Sequence, residues 1–116
     1  MIKKVSKKQS KENRLLTKVY KEIADTRGHY CTGCGRWDVP LSHSHIIPRS
    51  RRKDLVCEPR NITYHCLGGG DNNRKGCHDL WGDGGPGGRQ LLLDYHINME
   101  YILEVDTEYY FLLTEL

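Results

Sequence analysis

The sequence predicts a small α+β protein, a single domain organised around residues 30–82. Two short segments with alternating polar and apolar residues are separated by a long loop and followed by a helix signal, a pattern typical of a hairpin that packs on a helix. Cysteines at both ends of this stretch have the spacing of metal ligands. The chain has 116 residues, of which 37% are hydrophobic, so its apolar core must be small. A bound metal is a common means of stabilising such a core.

Residues 7–27 predict a basic amphipathic helix. Apolar residues recur at helical spacing from Leu15 to Ile23, and Gly28 is a typical helix stop. Residues 1–27 contain nine Lys or Arg and three acidic residues, so the polar face is mostly basic. A helix of this kind either lies along a nucleic-acid backbone or solubilises the core, and we favour contact with phosphates.

Paired cysteines predict a structural Zn²⁺ site. The first pair is separated by two residues in a glycine-containing turn, which brings both thiolates to one point. The second pair encloses a longer loop than most zinc knuckles, which leaves His65 as a substitute ligand. A redox pair would require a βαβ context, which is missing. The predicted ligands are Cys31, Cys34, Cys66 and Cys77, and Cys57 is the spare thiol.

The remaining elements follow from periodicity. Segments 41–48 and 61–66 predict the two strands of the hairpin, and a short helix is predicted at residues 76–81. The segment 83–90 contains four glycines and a proline, which predicts a Gly-rich linker. Residues 91–116 contain six acidic residues and no Lys or Arg, and their apolar spacing predicts an acidic helical tail. Asp106 is expected to cap the last helix.

Several motifs in residues 30–82 together resemble one family. They are Cys31-x2-Cys34, Ser44-His45-Ile46-Ile47-Pro48-Arg49, Arg60-Asn61-Ile62, and Cys66 with Cys77-His78. This combination is similar to that of HNH endonucleases with a zinc-bearing ββα-metal core, of the type common in phage genomes. The resemblance implies a ββα-metal core between the predicted basic helix and the C-terminal helices.

The resemblance also implies metal-dependent hydrolysis of DNA phosphodiester bonds. His45 matches the general base of the family, and a neutral imidazole can accept a proton from water at neutral pH. Asn61 matches the asparagine that pins the long loop and thereby orients the base. His78 matches the histidine that binds one divalent cation, Mg²⁺ or Mn²⁺.

Ser44 departs from the family pattern, in which an aspartate or histidine before the base also binds the metal. We assign His43 as the second ligand. On an ideal strand His43 would share the face of His45, so a twist or bulge must bring it to the metal. Imidazole ligands would also admit other divalent transition metals. The reserve ligands are Asp71, Asn73 and Asp79.

Basic residues follow the predicted base and precede the predicted short helix. They are expected to flank the cleft and hold DNA phosphates without reading bases. These residues are Arg49, Arg51, Arg52, Lys53, Arg74 and Lys75.

Two alternatives remain: a catalytically inactive zinc-binding module that binds DNA, and an accessory subunit of a larger phage nuclease or terminase complex. A homodimer would allow a single-strand cutter to break both strands. No segment approaches the roughly 20 apolar residues of a membrane span. Because the first residues lack a secretory signal and the cysteines have metal-site spacing, we expect a cytoplasmic protein. The resemblance implies that it is phage-encoded and acts in a bacterial host.

Overall fold

The computed structural model describes residues 7–68 and 75–115. Within these ranges it contains five α-helices, a two-stranded antiparallel sheet and two short 3-10 turns, which confirms the predicted α+β class. The helices and strands are α1 (Lys7–Thr26), β1 (Leu41–His45), β2 (Ile62–Cys66), α2 (Cys77–Gly82), α3 (Gly85–Gln90), α4 (Tyr95–Val105) and α5 (Thr107–Thr114). The 3-10 turns, Lys53–Leu55 and Pro59–Asn61, lie in the long loop between the strands.

The two strands pair without interruption. Leu41 lies opposite Cys66 at one end of the ladder, and His45 lies opposite Ile62 at the other. Since successive side chains of a strand point to opposite faces, each face of this hairpin receives alternate residues. One face is covered by α1, and the other meets α2 and the start of α4.

Helix α1 packs through its apolar stripe. Ile23 is buried against Ile62 and Tyr64 of β2, and Tyr20 packs beside them. At the end of the helix, the Arg27 guanidinium donates hydrogen bonds of 2.6 and 2.7 Å to the carbonyl oxygens of Ile62 and Pro59. These bonds fix the C-terminal end of α1 to the outer edge of β2, where the backbone would otherwise lack partners.

The larger core lies on the other side of the hairpin. Ile47, Trp81 and Ile102 are almost completely buried there and belong to one apolar cluster with the cysteines. The Trp81 indole N–H donates a 3.0 Å hydrogen bond to the carbonyl of Ile46. This bond connects α2 to the residue that follows β1. Contacts with the core therefore stabilise the short helix.

The segment predicted as a Gly-rich linker, 83–90, instead contains α3. A Cβ at Gly84 would lie 2.5 Å from the carbonyl oxygen of Leu80, and one at Gly88 would lie 2.9 Å from it. The glycines therefore allow the backbones of α2 and α3 to approach closely. Glycine content predicts a linker here, whereas in the tertiary structure the glycines permit close packing of two helices.

The predicted helical tail forms α4 and α5. The Asp106 carboxylate accepts a 3.1 Å hydrogen bond from the Tyr109 N–H, which confirms the predicted cap of the last helix. None of the helices in the described ranges is long and apolar enough to cross a membrane.

Candidate functional site

Four cysteines converge at the end of the hairpin, and together they could hold a metal ion. Their Sγ atoms all lie within 4.8 Å of one another, and those of Cys34 and Cys66 are 3.9 Å apart. Zn–S bonds of about 2.3 Å in a tetrahedron place neighbouring sulfurs about 3.8 Å apart, so the arrangement suits a thiolate-bound ion such as zinc. The cluster consists of the four predicted ligands, Cys31, Cys34, Cys66 and Cys77.

Local backbone geometry shapes the first cysteine pair. Gly35 has φ of +81°, a conformation that favours glycine, and its N–H donates a 2.7 Å hydrogen bond to the Cys31 carbonyl. A Cβ on Gly33 would lie 2.8 Å from the Cβ of Cys77. Glycine at both positions therefore closes the turn and lets α2 approach it.

Backbone amides also point at the sulfurs. The Cys66 N–H lies 3.2 Å from Cys31 Sγ, and the Cys77 N–H lies 3.3 Å from Cys66 Sγ. Burial raises the pKa of the Cys31 and Cys77 thiols. Burial also opposes the charged form of Cys66, but hydrogen bonds from Cys77 and the neighbouring thiols leave its pKa below the usual value. A divalent cation would relieve the repulsion that four adjacent thiolates would otherwise create.

The two other candidates from the cysteine analysis lie outside this cluster. His65 is fully buried, and its Nε2 lies 3.0 Å from the Asp94 carboxylate, so it does not replace Cys66. The Sγ of Cys57 lies 3.9 Å from the Glu12 carbonyl oxygen, beside α1. Cys57 is thus the thiol left outside the cluster.

His78 follows Cys77 on α2 and faces β1. Its Nδ1 lies 2.5 Å from Ser44 Oγ and 3.1 Å from Ser42 Oγ. The residue that precedes His45 therefore does meet His78, as the motif implies, but it offers a hydroxyl where the family has a carboxylate or an imidazole. Ser42 was not singled out from the sequence, although its two-residue spacing from Ser44 places both on one face of the strand.

The structure does not bring His43 to His78, which differs from the predicted pair of ligands. The imidazole of His43 stacks on Tyr20 of α1, with ring centroids 3.8 Å apart and planes inclined by 10°. No bulge interrupts the strand pairing, so alternation keeps His43 on the α1 face. Burial, followed by the charges of His45 and His29, lowers the pKa of His43.

His45 is the last residue of β1, and its Nε2 lies 2.9 Å from the carbonyl oxygen of Val56. Because a carbonyl can only accept a hydrogen bond, Nε2 carries the proton and Nδ1 presents a lone pair. The ring is half-buried, whereas Val56 is buried. This carbonyl is the partner that a base needs to fix its tautomer.

Asn61 is completely buried between the two ends of the long loop. Its Oδ1 accepts a 2.8 Å hydrogen bond from the Ile47 N–H, and its Nδ2 donates to the carbonyls of Ile47 and Leu55, both at 3.1 Å. Leu55 immediately precedes Val56. The asparagine therefore pins the segment that presents the carbonyl to His45.

A metal ion at this position would find one imidazole, that of His78, and two hydroxyl groups, those of Ser42 and Ser44. Within the described ranges, the cysteine cluster is the one group of three or more His, Cys, Asp or Glu residues placed to hold a metal ion. Magnesium is usually held by carboxylates, so these residues alone make a poor magnesium site, whereas imidazole suits transition metals such as nickel, copper and zinc. The reserve ligand Asp79 is exposed on α2, and Asp71 and Asn73 lie outside the described residues.

The predicted phosphate-binding residues divide into two groups. Arg51 and Arg52 are half-buried and pair within the protein, Arg51 with Asp106 and Arg52 with Asp54. This differs from the expectation that both hold phosphates. The paired arginines sit beside the α4–α5 junction because the acidic tail folds back on the loop, which the sequence did not indicate.

The second group remains at the surface. Lys53 and Lys75 are exposed, and Arg49 is exposed although it pairs with Glu12 of α1. Lys8, Arg49 and Lys53 line a cavity of about 450 Å³ between α1 and the long loop. Arg74 lies outside the described residues.

A buried polar network joins β2 to α4, and sequence reasoning missed it. The Asp94 carboxylate accepts hydrogen bonds from Thr32 at 2.7 Å and from Asn98 at 2.9 Å, in addition to its contact with His65. The pKa of Asp94 is lowered because these bonds outweigh the opposing effect of burial. In the sequence, the i, i+4 spacing of Asp94 and Asn98 was the feature that could have indicated this contact.

Comparison with protein-family models, with curated proteins and with solved structures finds no match to this chain.

Proposed function

We propose that this protein is an HNH-type endonuclease that uses a divalent metal to hydrolyse DNA phosphodiester bonds, with zinc in the cysteine cluster as a structural ion. One observation carries the proposal. A half-buried histidine at the end of a strand has its tautomer set by the carbonyl of Val56, in a loop pinned by the fully buried Asn61. Such a pin is what a general base requires, and a merely structural surface histidine has no need of it.

In the proposed reaction, His45 accepts the proton of the attacking water at Nδ1 while its Nε2–H remains bonded to Val56. His78 would hold the divalent ion, which supplies positive charge next to the scissile phosphate. Ser42 and Ser44 orient the His78 ring through their contacts with its Nδ1.

The proposed substrate is DNA, bound through its phosphates. The exposed cations Lys8, Arg49 and Lys53 line one cavity between α1 and the long loop, and the other lysines of α1 are also exposed. Contacts of this type position a duplex without reading its bases, so the protein would have little sequence preference of its own. A single site would cut one strand at a time, and a second copy, a terminase or another nuclease would supply the second cut.

The test is a plasmid-nicking assay on the full chain with Mg²⁺ or Mn²⁺, repeated in EDTA. His45→Gln should lower the nicking rate by about 10²- to 10⁴-fold, the usual contribution of a general base, while DNA binding is retained. His96→Gln is the matched control, since His96 is exposed on α4. Equal cutting by wild type and His45→Gln would refute the assignment of the base.

A catalytically inactive zinc-binding DNA module is the second candidate, and two observations favour it. Ser44 places a hydroxyl beside His78 where a charged ligand is expected. Strand alternation also directs His45 away from the face on which Ser44 meets His78. Retarded migration of DNA in a gel, together with no cutting in magnesium, manganese, cobalt or nickel, would establish this candidate and exclude the nuclease.

A further inference from the structure

The loop that presents the Val56 carbonyl is held on a second side by the C-terminal helices. Arg52 bridges the two parts of the molecule. Its Nε and Nη2 donate to the Asp54 carboxylate, both at 2.8 Å, and its Nη1 donates a 2.9 Å hydrogen bond to the carbonyl of Val105. The same side chain therefore contacts the 3-10 turn Lys53–Leu55 and the end of α4.

Asp106 is the centre of this contact. Its side chain is 8% exposed, and its carboxylate accepts from Arg51 Nε and Nη2, each at 3.2 Å. Arg52 Nη1 lies 3.5 Å from the same carboxylate. Arg51 also lies over the Tyr109 ring, with its guanidinium carbon 5.2 Å from the ring centroid. Two adjacent arginines of the loop are thus fixed to one buried carboxylate at the α4–α5 junction.

A few hydrogen bonds connect these arginines to the predicted base. The Leu55 N–H donates to the Arg52 carbonyl at 3.2 Å, and the Val56 N–H donates to the Lys53 carbonyl at 3.4 Å. These long backbone bonds are the internal support of the turn, and Val56, which directly follows it, supplies the acceptor for His45. Asn61 donates a hydrogen bond to Leu55 from the buried side of the loop, whereas Asp106 pairs with Arg52 from the side of the C-terminal helices.

We infer that Asp106 is a positioning residue for His45, which acts through Arg51 and Arg52 to hold the Val56 carbonyl against the imidazole. The C-terminal helices are then part of the catalytic apparatus and not a separate docking tail. For its effect on cutting, this inference rests on the proposed nuclease function, but the geometry of His45 can be measured without any activity.

The test compares Asp106→Asn with wild type. Asparagine can still accept the hydrogen bond from the Tyr109 N–H and cap α5, so the substitution removes mainly the charge that binds the arginines. The matched control is Glu108→Gln, which removes the same charge from a side chain that is 82% exposed and 3.9 Å from Arg51. Both variants are made in the full, metal-loaded chain.

The primary measurement is the solvent exchange of the His45 Nε2 proton in ¹⁵N-histidine-labelled protein, with the resonance assigned by its loss in His45→Gln. Because Asp106→Asn removes the charge-assisted hydrogen bonds to the loop arginines, it should speed this exchange at least about tenfold. The Trp81 indole proton, bonded to the Ile46 carbonyl, reports opening of the core and should exchange as in wild type. Glu108→Gln should change neither proton.

Nicking by Asp106→Asn should fall between about tenfold and a hundredfold with DNA binding retained, because a small displacement of a catalytic group has effects of that size. Unchanged exchange at His45 would overturn the inference. So would equal acceleration at His45 and Trp81, since Asp106 would then only stabilise the whole fold. If wild type cuts no DNA, the proposed function fails, and the two exchange rates alone decide the positioning role.

Discussion

The face of the β1–β2 hairpin that meets α2 and α4 is polar, whereas the face that meets α1 is apolar and aromatic. On the first face, Ser42 and Ser44 contact His78, and His65 contacts Asp94. On the second face the stacked rings and buried aliphatic side chains of α1 and β2 provide the contacts. Both faces are built from alternate residues of the same two short strands.

This difference shows that adjacent residues of one motif can contact different helices and stabilise different parts of the molecule. His43 and Ser44 are adjacent in the chain, yet His43 stacks on α1 and Ser44 meets the histidine that follows a metal-type cysteine. The polar face depends on specific partners, each of which leaves a buried polar group unsatisfied when it is lost. The α1 face depends on contact area, which tolerates replacement by residues of similar shape.

The largest expected effect follows from removal of the ion that the cysteine cluster could hold. Helix α2 has only six residues and cannot persist without its attachments, so a strong chelator should detach it from the hairpin. We expect loss of the near-ultraviolet circular dichroism of Trp81 and a large fall in the melting temperature. Cys57→Ser should respond to the chelator as wild type does. A melting temperature unaffected by the chelator would show that no ion supports the polar face.

A smaller loss is expected from Asp94→Ala, which breaks the buried network of the polar face. The substitution removes the acceptor for His65, Thr32 and Asn98, and the loss of one partner of a buried charged network costs about 3–5 kcal/mol. Urea denaturation would measure the change in the free energy of unfolding. Glu100→Ala removes an exposed carboxylate from α4, the helix that Asp94 precedes, and should change the free energy of unfolding by less than about 0.5 kcal/mol. Similar changes in the free energy of unfolding for the two variants would contradict the proposed dependence of the polar face on specific partners.

The smallest effect is expected on the α1 face, from His43→Phe. Phenylalanine keeps the stack on Tyr20, so the free energy of unfolding near neutral pH should change by less than about 1.5 kcal/mol. The lowered pKa of His43 means that, below the ordinary value of 6.5, the unfolded chain binds this proton more readily than the folded chain. Stability should therefore fall as the pH drops through that value.

Urea denaturation from about pH 7.5 to about pH 5.5 would measure this slope, which one group can raise by at most about 1.4 kcal/mol per pH unit. His43→Phe should show a shallower loss than wild type. An equally steep loss in both proteins would mean that burial against α1 does not hold His43 neutral.

Local sequence was sufficient for most elements. The apolar spacing up to Ile23, the alternation of the second strand and the cap at Asp106 each predicted structure within a residue or two of the observed bounds, whereas the first strand, predicted to extend to residue 48, ends at His45. The four clustered cysteines were also predicted, because C-x-x-C spacing and tight turns are local properties. The segment 83–90 was predicted wrongly as a linker, because glycine content alone does not distinguish a flexible segment from a closely packed helix.

By itself, the sequence determined most of the elements, their order and the metal-type pairing of the cysteines, since each depends on periodicity or on the spacing of residue types along the chain. Only the tertiary structure decided that His43 stacks on α1, that Ser44 meets His78, and that the acidic tail binds the arginines of the long loop. Strand alternation separates residues between two faces, but which helix covers each face depends on packing between distant segments. The contact of Arg51 with Asp106 joins positions 55 residues apart, a distance over which no local pattern carries information.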